Sequence, residues 1–323
     1  MFTNKDIEYR SIFVINCTEK RRMKVMNGEL LLQEEQEGEW KTLTKMPFQK
    51  ILILFVVGNI SITTPLIDKC KQNGVALIVV KPNFRPVFYW SDPSEGNYLL
   101  RQKQYSYEDS NIELAKYLVL NKIQNQIKLL ENTRKKDEHT LKAIDSCHYT
   151  CEIIQAATDY DALLGLEGAA SKLFFGAYYQ DCNWKGRMPR VKPDAINATL
   201  DIGYTILFNY IESMVRLFGF DVYVGVYHKL WFKRKSLICD LMEPFRCIID
   251  NAVRNAFKRK QFKSSDFTVI QKQYRLQYGK NSEYTKVFFD AIIKYKQEIF
   301  SFVRDYYRSF MKGSYDNFPV FSY

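Results

Sequence analysis

Between Tyr9 and about Arg101 the apolar residues come in short bursts broken by Gly, Asn, Pro and charged residues, the pattern of strands joined by turns. Ser11 to Cys17, Lys24 to Met26, Leu30 to Gln33, Ile51 to Val57, Val75 to Val80 and Pro86 to Trp90 are the expected strands. Among them Thr64 to Asn73 is expected to be helical: Pro65 suits a first turn, Leu66, Ile67 and Cys70 share a face, and Gly74 can end it. From about Ser106 the period becomes that of helices. Ile112, Ala115, Val119, Ile123, Ile127 and Leu130 line one face, then Thr133 to Glu138 is a charged break, and Leu141, Ile144, Cys147, Cys151 and Ile154 form a second stripe. Asp159 and Asp194 are expected N-caps of helices running toward Tyr179 and Gly219, Ser236 of a fifth helix, and Ser282 opens a long last one. The expected architecture is α+β and multidomain, a small β-rich domain over residues 1–104 followed by a larger all-α domain over residues 105–323.

Composition narrows the class. Of 323 residues 46% are hydrophobic and 15% aromatic, spread over both halves, so each can bury a core. Ile51 to Val57, the longest apolar run, is too short to span a bilayer, and Met1 to Arg22 has no signal-peptide core, so a cytosolic protein is expected. The seven cysteines form no C-x-x-C pair and read as reduced thiols. A net charge of +11 favours an anionic partner, with the phosphodiester backbone the commonest.

Three stretches carry candidate chemistry. His139 falls in the charged break and is expected exposed; His148 lies on the second stripe, where a buried structural role fits better than a zinc site lacking a second ligand pair. His228 follows a strand-like Asp221 to Tyr227 and precedes a basic stretch. Beyond it Asp240 and Glu243 stand three apart, on one face of a helix, where they would repel unless a cation joined them; two carboxylates and an imidazole suit Mg²⁺ or Mn²⁺ better than zinc. Pro244 inside that helix costs about 3 kcal/mol and kinks it. The alternative is a solvated acidic face paired with Lys and Arg. Glu167 sits in Leu163-Leu-Gly-Leu-Glu-Gly-Ala-Ala, where a buried carboxylate needs a metal or a cation such as Lys172 or Arg216; Gly165, Gly168, Ala169 and Ala170 leave room for a close approach.

Together these stretches resemble the integrase/endonuclease family of CRISPR adaptation, the larger, catalytic subunit of the spacer-acquisition complex. The resemblance runs through Gly28-Glu-Leu, Met46-Pro-Phe, Gly58-Asn-Ile-Ser-Ile-Thr-Thr, Asn73-Gly-Val-Ala-Leu-Ile-Val-Val and the joining segment from Asn97 to Gln104. It continues in Leu164-Gly-Leu-Glu-Gly-Ala-Ala, in Arg187 to Pro193 with Asp194-Ala-Ile-Asn-Ala, and in His228 to Asp250. Two departures stand out: the loop after His228 reads Lys-Leu-Trp-Phe-Lys-Arg-Lys where the family commonly has a glycine, and Cys247 replaces a usual proline.

The resemblance implies metal ligation by Glu167, His228 and Glu243, with Asp240 beside them orienting a water or a ligand, and Mg²⁺ or Mn²⁺ as cofactor. It implies attack of a DNA 3′-hydroxyl on a repeat phosphodiester, or cleavage when water attacks. Lys229, Lys233, Arg234, Lys235 and Arg246, with Arg187, Asn197, Lys258 and Arg259, are then the residues expected to face double-stranded DNA. The implied partners are a second copy, through the β-rich domains, and a small ferredoxin-like CRISPR adaptation subunit bridging two dimers. A non-catalytic DNA-binding subunit of the same complex, or a helical regulator or RNA-binding protein with structural acids, are the competing expectations.

Overall fold

The computed structural model describes residues 3–17, 20–91, 96–107, 112–134, 136–182 and 184–323; Lys135 of the charged break lies outside them. A six-residue helix α1 (Asn4–Tyr9), closed by reciprocal Thr3 and Asp6 caps, leads into β1 (Ser11–Cys17). A meander of β2 (Arg21–Met26), β3 (Glu29–Gln36) and β4 (Glu39–Pro47) follows. Then come β5 (Ile51–Gly58), α2 (Thr64–Gln72), β6 (Ala76–Val80) and β7 (Pro86–Trp90). The order β1-β5-β6-β7 makes one sheet, parallel except for β7, and the meander is a second, antiparallel one. Strand β4 is not among the expected strands: five of its nine residues in a row are exposed, so no alternation marks it.

All eight residues of β5 are buried because the sheet is covered on both faces. Leu54 and Val56 face the meander and α2, where Met23, Leu30, Leu66 and Cys70 lie. Ile53, Phe55 and Val57 face the helices.

The helical part begins with α3 (Tyr98–Tyr105), then α4 (Glu113–Glu131), α5 (Glu138–Ile153), α6 (Tyr160–Tyr178) and α7 (Ala195–Arg216). It continues with α8 (Ser236–Met242), α9 (Arg246–Lys258), a hairpin of β8 (Phe267–Ile270) and β9 (Gln273–Leu276), α10 (Asn281–Ile293) and α11 (Lys296–Lys312). Phe55 meets Phe289 of α10 edge-on at 5.0 Å, so the sheet and the helices share a core. Asp159 and Asp194 cap α6 and α7 as expected, and Gly219, at φ 87°, turns the chain after α7.

Several expectations change. The hairpin β8–β9 interrupts the all-helical part, and the expected single last helix is two, α10 and α11, parted at Lys294 and Tyr295. Asp221 to Tyr227 forms turns and bends, not a strand. Ser236 is the first residue of α8, with no side-chain cap, and its hydroxyl donates instead to the Lys229 carbonyl. His148 is exposed and lies 3.7 Å from Glu131, because the buried face of α5 is Ala143, Ile144, Cys147 and Thr150, one residue away. His139 is exposed and all seven cysteines are free. No helix among the described residues is long and apolar enough to cross a membrane.

Candidate metal and nucleic-acid site

Helix α4 lies at the centre of the helical part and is buried on nearly every side, including Asn121, Lys122, Asn125 and Gln126. Asn121 and Asn125 bind the C-terminal tail, both donating to the Phe321 carbonyl at 2.8 and 3.0 Å. Lys122, between them, reaches the other way. Its Nζ donates to Glu167 of α6 and, at 2.7 Å, to Oε2 of Glu243. Two carboxylates from distant stretches of sequence thus meet at a single buried ammonium. Lys172 and Arg216, the cations expected beside Glu167, do not serve it: Arg216 pairs with Glu212 of its own helix at 2.8 Å.

Pro244 lies in a short 3₁₀ turn, Glu243–Phe245, between α8 and α9, and the two acids three residues apart reach different partners. Glu243 turns toward Lys122 and accepts from Arg246 Nε at 2.9 Å. Asp240, fully buried, turns toward the preceding loop. Its Oδ2 accepts from the backbone N–H groups of Val226 and Tyr227 at 2.6 and 3.0 Å. Its Oδ1 accepts from His228 N at 2.9 Å and lies 2.6 Å from His228 Nδ1. Asp240 therefore fixes the imidazole by its Nδ1 side and leaves Nε2 for another partner. Next to it the Tyr227 hydroxyl donates to Glu167 Oε2, so one segment holds both His228 and Glu167. A Cβ at Gly225 would press on Asp240 Oδ2 and lie 2.9 Å from Ser236 Cβ. Gly225→Ala is expected to cost about 2 kcal/mol by overpacking, read as a lower urea midpoint; an unchanged midpoint would show that the loop yields freely.

Electrostatics follow the same geometry. Burial opposes the charged form of Glu243, yet Arg246, Lys122 and His228 outweigh it and bring its pKa down to about 2. The stability Glu243 contributes is present above its ordinary value of 4.5 and is lost as pH falls toward 2. Burial likewise works against the Lys122 ammonium, and Glu243 followed by Glu167 holds it above its ordinary value. Behind Arg246, which stacks 4.7 Å from the Tyr204 ring, Asp250 accepts from the Tyr204 hydroxyl. Burial pushes the Asp250 carboxyl up to about 7. Its native form holds a proton that its unfolded form releases near 3.8, so Asp250 favours folding less as pH rises through that window. Unfolding free energy of the native chain should fall, relative to Asp250→Asn, as pH rises from about 4 to about 7; parallel profiles would contradict this.

The residues expected to face DNA divide into two groups. Lys229, Lys233 and Arg259 are exposed, Arg234 is half-buried beside them, and Lys258 is exposed with its Nζ 2.5 Å from Asp181. The rest are engaged inside the chain. Lys235 makes two 2.7 Å bonds to the fully buried Glu212, and Arg246 is held by Glu243. Arg187 pairs with Asp201 at 2.6 Å and donates to Asn197, itself fully buried, whose amide also binds the Gly186 carbonyl and Asp194. These four act as struts of the site and not as exposed phosphate contacts. Gly165 and Gly168 face open space: apart from the backbone of α6 itself, none of the described residues comes within 4 Å of where a Cβ would lie.

The donor set suits a hard divalent ion: two carboxylates already converge on one cation, and an imidazole is held next to them by Asp240 and by Tyr227's bond to Glu167. Among the described residues no group of three or more His, Cys, Asp or Glu side chains is gathered closely enough to hold a metal as it stands. Lys122 is the cation that both carboxylates reach.

Over residues 15–289 the sequence matches the family described as CRISPR associated protein Cas1. It is 29% identical over 235 residues to a CRISPR-associated endonuclease Cas1 of Thermodesulfovibrio yellowstonii, covering 69% of this chain and 73% of that one. The fold is similar to that of a casposase bound to an integration product, with a TM-score of 0.76 at 18% identity over 94% of this chain and 91% of the other. It is also similar, with a TM-score of 0.78 at 18% identity over 97% of this chain, to part of a Cas6-RT-Cas1–Cas2 complex; the chain spans only 36% of that longer one. Because the matched stretch takes in the strand-rich part as well as the helices and loop that carry Glu167, His228 and Glu243, the chain belongs to the CRISPR-associated Cas1 family.

Proposed function

We propose that the chain is a divalent-metal-dependent DNA endonuclease and integrase that inserts new spacers into CRISPR arrays. The observation that carries this reading is the meeting of Glu167 and Glu243 at one buried cation beside an imidazole whose Nδ1 side is already fixed. Burying two carboxylates together is costly, and a site that gathers them is best explained by a cation that both must reach. The relative from Thermodesulfovibrio yellowstonii is named an endonuclease, and the casposase of similar fold is bound to an integration product.

Glu167, His228 and Glu243 would hold Mg²⁺ or Mn²⁺, with the Lys122 ammonium moving aside. The ion would polarise the phosphoryl oxygen under attack and make the attacking hydroxyl a better nucleophile. The other roles belong to the chain's own groups. Asp240 holds Nδ1 of the imidazole and so keeps Nε2 turned outward. The Tyr227 hydroxyl takes one oxygen of Glu167 and so orients the other. Arg246 keeps Glu243 ionised. Lys229, Lys233, Arg234, Lys258 and Arg259 would neutralise phosphates of double-stranded DNA, giving binding that weakens steeply with salt. A second copy of the chain and a small ferredoxin-like CRISPR adaptation subunit complete the proposed assembly.

A second reading is favoured by one observation. Lys122 already satisfies both acids, as it would in a non-catalytic DNA-binding subunit whose acids are structural. Strand transfer of a short duplex into a repeat-bearing plasmid, assayed with the bridging subunit and with or without Mn²⁺, separates the two. Product formed only with the ion is expected; DNA binding with no product under any ion supports the structural reading.

A further inference from the structure

From Phe318 to Tyr323 the chain runs along α4 with no helix or strand of its own, so its buried backbone groups need partners from elsewhere. Two asparagines of α4, on either side of Lys122, supply them. The Phe321 N–H donates to Asn121 Oδ1 at 2.9 Å, the Phe321 carbonyl accepts from both amides, and the Tyr323 N–H donates to Asn125 Oδ1 at 2.8 Å. Two rings fix the segment further: Phe318 stacks 5.0 Å from Tyr117, and Phe321 lies 4.6 Å from Phe245. The segment thereby reaches two of the three residues in the 3₁₀ turn Glu243–Phe245. It meets Phe245 directly and Pro244 through Asn125, whose amide donates to the Pro244 carbonyl at 3.2 Å as well as to that of Phe321.

We propose that Phe318 to Tyr323 is a strap that keeps Glu243 in place for the proposed divalent ion, with Phe321 and Asn125 as its positioning residues; this rests on the divalent-metal reading of the site. In the ion-free chain the Glu243 carboxylate is held from two sides, by Lys122 and by Arg246. Once the Lys122 ammonium gives way to an ion, one of these holds is gone and the carboxylate depends more on the backbone that carries it. That backbone is a single 3₁₀ turn, whose hydrogen bonds are less well aligned than those of an α-helix, so what packs on it sets its shape. Both polar atoms of the Asn125 side chain are engaged, the nitrogen by carbonyls and the oxygen by the Tyr323 N–H, so Asn125 acts through the turn and not on the ion. Groups that only orient a ligand commonly govern metal affinity by about 10–100-fold, because a site loosened by a fraction of an ångström loses much of its hold.

The experiment titrates Mn²⁺ calorimetrically into the full chain and into Asn125→Ala and Phe321→Leu, each held below its own melting temperature. The dissociation constant is expected to rise about tenfold or more in both variants. Phe55→Leu is the control for general loosening: it disturbs the shared core where Phe55 meets Phe289, should lower the melting temperature, and should leave the constant within about twofold. A second readout needs no ion. Hydrogen exchange at the Arg246 amide, which donates to the Glu243 carbonyl, should quicken by about tenfold or more in the strap variants and stay within about twofold in Phe55→Leu. Should Asn125→Ala fail to fold, Phe321→Leu, which exchanges one apolar side chain for another, decides the matter by both readouts. Native Mn²⁺ affinity in the strap variants, whatever their melting temperatures, overturns the strap and leaves the metal reading intact. A native chain that takes up no Mn²⁺ overturns both.

Discussion

Glu167→Ala is expected to lower metal-dependent strand transfer and cleavage by about a thousandfold or more, roughly 4 kcal/mol of transition-state stabilisation, with duplex affinity kept within about twofold. Glu167 is one of only two carboxylates that reach the Lys122 ammonium among the described residues, and the one of the two bonded to the His228-bearing segment, through Tyr227. Its removal takes one ligand from the proposed ion and unties the loop from α6. The exposed cations at Lys229, Lys233, Lys258 and Arg259 are untouched, which is why binding should survive. Gel-resolved single-turnover strand transfer beside fluorescence anisotropy reads both; unchanged turnover would remove Glu167 from the site.

The second large effect is expected at Lys122. Lys122→Met leaves Glu167 and Glu243 facing each other with only Arg246 to balance them, and loss of one partner of a buried ion pair costs about 3–5 kcal/mol. The melting temperature of the metal-free chain should fall by roughly 4–7 °C. Mn²⁺ should then raise it further in the variant than in the native chain, because the ion supplies the missing charge and meets no competing ammonium. A differential scanning measurement showing equal Mn²⁺ shifts in both proteins would mean that Lys122 and the ion do not share a position.

Much of this arrangement is legible in the sequence, and the exceptions have physical causes. The strand bursts, the α2 helix and the Asp159 and Asp194 caps follow from local pattern, because each is decided by a few neighbouring residues. Glu167 stands out as a carboxylate in an apolar, small-residue run. Lys122 does not, since a lysine on a long helix reads as solvated; yet Asn121, Lys122, Asn125 and Gln126 recur at helical spacing, a polar stripe as regular as the apolar one, and all four are buried. The role of Asp240 is obscured because spacing along a helix puts it beside Glu243, while its partners are the Val226–His228 loop and those of Glu243 are Lys122 and Arg246. Lys235, Arg187 and Asn197 draw attention as basic or polar residues near the site. Their internal partners, Glu212, Asp201 and Asp194, cannot be paired with them from spacing alone.

The hairpin β8–β9 and the break between α10 and α11 are tertiary choices. The hairpin backbone reaches the 184–194 segment, with Tyr274 N donating to the Lys192 carbonyl at 3.0 Å, a contact that no local pattern announces.

The proposed divalent ion would take the one position between Glu167 and Glu243 that the Lys122 ammonium now fills. Anomalous diffraction from crystals grown with Mn²⁺ tests it directly. A single strong peak is expected about 2.1 Å from oxygens of Glu167 and Glu243, with His228 Nε2 as a further ligand and the Lys122 ammonium displaced. A peak elsewhere, or none while Lys122 still bridges the two carboxylates, would contradict it.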